Sequence, residues 1–233
     1  MAKRALLVGL AVVLTLLAGI IAHPLSAQTA RETAPMAPSD TPPQARTEKS
    51  PPTVHGLPKA YRRGSAPPKT PAEREKMLSD LYALLATAED ENNAKAVAEA
   101  IERVWQHSGS PTIDLLMERA MQAVAEEKHD LAIKLLDHVV ALAPDFTEGW
   151  NRRAYAYFVK NDVDHALGDL RRALALDPNH FKALEGLAQI MREIGEKKAA
   201  LKAYRQLLSV HPYWPGAQQA IEELERDVDG QGI

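Results

Sequence analysis

Residues 147–178 read TEGWNRRAYAYFVKNDVDHALGDLRRALALDP. In the second half of this stretch Ala166, Leu170, Ala173 and Leu174 recur at steps of three and four, the mark of a helix with one buried face. Proline lacks an amide hydrogen and pushes the preceding residue out of helical geometry, so this helix ends near Asp177-Pro178. An earlier helix runs from Glu148 to Val159, and the polar Asn161-Asp162 turns the chain between the two. The stretch is a helix hairpin.

It is also one copy of several. Pro144, Pro178 and Pro212 stand 34 residues apart, and Ala132, Ala166 and Ala200 keep the same interval. A unit this short cannot bury its own core, so copies must stack, and stacked helix pairs make a binding surface. The neighbouring copies repeat the apolar stripe with Ala132, Leu135, Leu136 and Val139, and with Ala200, Tyr204 and Leu207. Their first helices run from Ile113 to Ala125 and from Lys182 to Ile194, with turns at Glu127-Lys128-His129 and Gly195-Glu196-Lys197.

A weaker copy lies upstream. Ala98 is 34 residues before Ala132, and Ala94, Val97, Ile101, Val104 and Trp105 share its stripe, but the closing proline, Pro111, comes one place late. The helix before it holds Met77, Leu78, Leu81, Leu84 and Leu85, and starts at a capping box of Thr70 and Glu73 with Pro71 at the first helical position. After Pro215, Ala217, Ala220, Ile221 and Leu224 form a last amphipathic helix whose other face carries Glu222, Glu223, Glu225 and Arg226, as suits a solvated cap. The expected domain covers 70–228, with repeats at 79–112, 113–146, 147–180 and 181–214 and a cap at 215–228.

The pattern resembles the tetratricopeptide repeat (TPR) family. Trp150, Ala154, Tyr157, Ala166, Leu170, Ala173 and Pro178 fall where that family places its Trp, Gly, Tyr, Ala, Phe, Ala and Pro. Alanine replaces glycine on the first helix, which raises helix propensity, and Arg119 and Arg153 replace a usual leucine. The resemblance implies an all-α, right-handed solenoid of helical hairpins that binds extended peptides or helices in a concave groove. Its groove positions are Asp114, Met117, Met121 and Val124, then Glu148, Asn151, Tyr155 and Phe158, then Lys182, Glu185, Gln189 and Arg192. Met117, Met121 and Phe158 are equally of the kind that packs against a neighbouring helix. One branch of the family clamps a terminal carboxylate with a Lys/Asn/Arg set. Only Lys182 matches it; Asn151 is off by one and Gly186 stands where the Arg belongs, so that activity is not expected.

The first seventy residues are a different kind of chain. Lys3 and Arg4 precede an apolar run from Ala5 to Ala22, and Leu25-Ser26-Ala27 follows, which reads as a secretory signal peptide cut after Ala27. The run is also long enough for an uncleaved inner-membrane anchor. No cysteine is present, which excludes disulfides and lipidation at the cut. Residues 28–69 hold nine prolines and few large apolar residues, the composition of a disordered spacer. The spacer has seven Lys/Arg against three Asp/Glu, whereas the region from Glu73 onward has nineteen against twenty-eight. A basic tether is thus joined to an acidic domain, and an acidic domain argues against nucleic acid as partner.

Nothing in the chain reads as a reaction centre. His107, His129, His138, His165, His180 and His211 show no metal-ligand spacing, and no G-x-S-x-G, P-loop or G-x-G-x-x-G motif occurs. No catalysis, metal or cofactor is expected. The reading is an exported scaffold or adaptor in the bacterial periplasm, or facing it from the inner membrane, that captures a protein or peptide in its groove. The alternatives are a homo-oligomer built through exposed repeat ends, or an accessory subunit of a cell-envelope assembly.

Overall fold

The computed structural model describes residues 57, 61, 64–68 and 70–229. The expected leader, 1–27, and residues 28–56 of the expected spacer lie outside them. Among the described residues there are helices and no strands: α1 (Pro71–Ala86), α2 (Glu91–Trp105), α3 (Pro111–Ala125), α4 (His129–Leu142), α5 (Thr147–Val159), α6 (Val163–Leu176), α7 (Phe181–Glu193), α8 (Lys197–Val210) and α9 (Ala217–Asp229). The chain is an all-α repeat of helical hairpins.

Local chemistry sets the boundaries. Ala143, Asp177 and His211, each just before a proline, leave helical geometry at φ −136°, −141° and −132° and end α4, α6 and α8. In the turns of α3/α4, α5/α6 and α7/α8 one residue takes left-handed geometry: Glu127 (φ 58°), Asn161 (64°) and Gly195 (83°). The amide after it closes the helix by bonding back, Lys128 to Ala123, Asp162 to Tyr157 and Glu196 to Met191, all at 2.8 Å. At the start of α1 the Thr70 hydroxyl accepts from the Glu73 amide at 3.1 Å, with Pro71 at the first position.

The pairs α3/α4, α5/α6 and α7/α8 stack in series, α4 on α5 and α6 on α7, and α9 closes the row against α8. Ala132, Ala166 and Ala200 are completely buried where paired helices cross. At Gly149 a Cβ would come within 2.8 Å of Val139 Cγ1, so α4 and α5 approach too closely there for a side chain. Gly168 is the opposite case: exposed in mid-α6, it has nothing within 4 Å of a would-be Cβ. Gly168→Ala is therefore expected to stabilise the domain by about 0.5–1 kcal/mol, seen as a raised melting temperature. A lowered one would show that this face of α6 is covered.

The first hairpin does not continue the stack. α2 does not pack along α3; instead Leu81, Leu85 and Trp105 share one core with Phe181, Leu184 and Leu207. The hairpin lies across the turns that join successive repeats. Arg74 near the start of α1 sits over the Phe146 ring, Tyr82 donates to Asp177, and the carbonyl of Glu89 in the turn after α1 accepts from Tyr213 at 2.8 Å.

The end of the expected spacer also packs. Leu57 is buried, Tyr61 Oη donates to Asp80 at 2.9 Å, and Arg103 holds the Tyr61 carbonyl at 3.0 Å. This corrects the reading of 28–69 as a wholly disordered spacer: Leu57 and Tyr61, large side chains within it, pack on the helical core.

Candidate functional site

The concave positions of α5 and α7 face one another. Asn151, Tyr155 and Phe158 fall four and three residues apart along α5, and Lys182, Glu185 and Gln189 fall three and four apart along α7, so each set shares one face of its helix. The six side chains line one cleft of about 250 Å³. Arg152, Ala154, Leu170, Gly186 and Ile190 complete its lining. Tyr155 is 48% exposed, a large ring left to solvent.

Below the cleft lies a buried polar chain. The Ala183 amide donates to His180 Nδ1 at 3.2 Å, so the ring proton sits on Nε2 and is donated to Glu148 Oε2 at 3.0 Å. Glu148 also accepts from Asn151 Nδ2 at 3.0 Å and from Arg152 Nε. Burial alone would raise the Glu148 carboxyl, but the bond from His180 and the charge of Arg152 outweigh it and hold the group well below the usual carboxylate range. His180 is fully buried, its ring stacked on Trp105 at 3.8 Å. His180 caps the start of α7, and the sequence carried no signal that the first hairpin covers the turn before it.

The remaining expected groove residues separate. Met117 is 8% exposed and belongs to the core between α3 and α4, with Ile113, Ala120 and Leu136; it holds the repeat place of Asn151 and Glu185 but does not line the cleft between α5 and α7. Asp114 accepts from the amide and hydroxyl of Ser108, at 2.8 and 2.6 Å, and serves the turn between α2 and α3. Met121 is half-buried; Arg192 is exposed on α7, and neither lines the cleft. Lys182 does line it, with its ammonium held by Glu102 of α2 at 2.8 Å. Among the described residues no cluster of three or more His, Cys, Asp or Glu side chains could hold a metal ion.

The sequence profile of the tetratricopeptide repeat matches residues 147–180. A TPR repeat-containing protein of Rhizobium etli is 35% identical over 153 residues, covering 66% of this chain and 75% of its own length. The chain belongs to the tetratricopeptide-repeat family. Human serine/threonine-protein phosphatase 5 is 25% identical over 142 residues, 58% of this TPR chain but 28% of the phosphatase. Among solved structures, the first TPR of Spaghetti (RPAP3), bound to the HSP90 peptide SRMEEVD, superposes with a TM-score of 0.50 at 22% identity, over 53% of this chain and 98% of that one. At that identity the likeness is one of fold. TPR domains mediate protein–protein interaction, and the hairpin stack here is a scaffold of that kind.

Proposed function

We propose that this protein is an exported adaptor that captures a segment of a partner protein in the cleft between α5 and α7. The observation that carries this reading is the convergence of Tyr155, Phe158 and Ile190 with a ring of polar groups around one preformed cleft. Preformed apolar hollows edged by a few polar groups are where ligands bind, and exposed aromatic rings are the usual anchors. Export to the periplasm, by a cleaved leader or from an inner-membrane anchor, is part of the proposal and rests on Lys3-Arg4, the apolar run 5–22 and Ala27.

The polar ends of the stack weigh against assembly through them. α3 presents Arg119 and Gln122 outward, and α9 presents Glu222 and Glu223. The double substitution Tyr155→Ala with Phe158→Ala is expected to weaken partner capture by at least about 2 kcal/mol while leaving helical content intact. Crosslinking and pull-down from the native envelope, followed by affinity measurement on the recovered partner, checks both parts. A folded double variant that recovers the same partners at full strength would move the binding surface elsewhere.

A further inference from the structure

Glu185 lines the cleft without an ion-pair partner of its own among the described residues. Its Oε1 accepts from the Trp214 indole and from the Gln189 amide, both at 3.2 Å, and among the described residues no Lys, Arg or His nitrogen pairs with it. The two cations of the cleft are held by other carboxylates, Lys182 by Glu102 at 2.8 Å and Arg152 by Glu148. A carboxylate taken out of water without a partner cation is costly, and burial accordingly pushes the Glu185 carboxyl up, with the Trp214 bond and the charge of Lys182 offsetting part of the shift.

The walls fit the same occupant. Tyr155 and Phe158 present aromatic rings, whose faces attract cations. Gly186, Leu170 and Ile190 give an apolar lining against which a long unbranched stem can lie. From Glu73 onward the chain has nineteen Lys/Arg against twenty-eight Asp/Glu, so the domain as a whole draws basic segments toward it. An acidic segment would meet Glu185 and that same field, and would have to displace Glu102 to reach Lys182.

We propose that the cleft receives an arginine or lysine side chain from a basic segment of the partner protein, with its stem on the Phe158 side and its charged head at Glu185. This rests on the adaptor reading above and adds the chemistry of what is recognised. It sets the chain apart from a neighbour that holds the acidic peptide SRMEEVD.

The test is selection from a random dodecapeptide library displayed to the full-length chain, with the enriched peptides then titrated in solution by isothermal calorimetry. The expected winners carry one Arg or Lys beside an apolar residue, and replacing that Arg by citrulline weakens binding about tenfold, the loss of one charge-assisted contact. In Glu185→Gln, which keeps an acceptor for Trp214, Arg and citrulline peptides should bind alike. In Glu223→Gln, on the exposed face of α9, the preference should persist. Winners without a basic residue, or a preference that survives Glu185→Gln, overturns the proposal while leaving the groove in place. Binding untouched by Tyr155→Ala with Phe158→Ala, or a library that yields no binder, overturns the adaptor reading as well.

Discussion

Trp105→Ala is expected to cost about 3–5 kcal/mol of folding stability, the range for removing a buried large aromatic side chain. Trp105 is 3% exposed, stacks on His180 at 3.8 Å, meets Phe181 at 4.5 Å and donates its indole N–H to Tyr82 at 3.2 Å. These contacts join the first hairpin to the turn between α6 and α7, so the loss falls on an interface between elements far apart in sequence. Urea denaturation followed by circular dichroism measures the cost. Hydrogen exchange distinguishes the mechanism: amides of α1 and α2 should lose protection before those of α5 to α8, because the hairpin is released as a unit. Unchanged stability, or uniform loss of protection, would mean that the hairpin is not held through this stack.

Why the first hairpin leaves the row was written in the chain, though not where periodicity looks. Glu102 occupies the place filled by Leu136, Leu170 and Tyr204 in the later copies, all 34 residues apart. Stacked in line, it would put a carboxylate into the crossing of two helices; docked as it is, it pairs with Lys182 at 2.8 Å. The same comparison applies to the face of α3 that would receive α2. Arg119 and Gln122 stand where α9 buries Ile221 and Leu224, so α3 begins the row with a solvated side. A search for shared spacing registers the alanines that agree and passes over the charges that do not.

The groove was partly legible for a related reason. Spacing along one helix fixes which residues share a face, and it brought Asn151, Tyr155, Phe158, Lys182, Glu185 and Gln189 to one cleft. It cannot tell how deeply each place on that face is buried: Met117, which holds the repeat place of Asn151 and Glu185, packs into the core of its own hairpin. Nor can spacing see contacts made through the first hairpin. Glu148 and His180 are 32 residues apart, and their burial depends on Trp105 arriving from a third place in the chain. Composition likewise averaged away Leu57 and Tyr61 within a proline-rich stretch.

Arg153 shows how one copy can replace apolar packing by an ion pair, and what that replacement is worth. Its guanidinium grips Asp169 with two bonds, Nε to Oδ2 at 2.7 Å and Nη2 to Oδ1 at 2.8 Å, and reaches Asp137 of α4 at 2.8 Å. The Asp169 side chain is 8% exposed and that of Arg153 16%, so the pair is largely out of water, and the bonds Arg153 donates to Asp169 hold the guanidinium firmly charged against the pull of burial. Removing one member of such a pair strands the other. Asp169→Ala is expected to cost about 3 kcal/mol, moderated because Arg153 keeps Asp137. The next copy has already solved the same junction without charge, with Leu187 and Ala203 at the equivalent places. Arg153→Leu combined with Asp169→Ala should therefore return to within about 1 kcal/mol of the original stability, since a buried ion pair exchanged for well-packed apolar groups is often neutral. Denaturation of both single variants and the double variant gives the coupling directly, and it should reach about 2 kcal/mol. Additive losses would show instead that Asp169 acts through some contact other than Arg153.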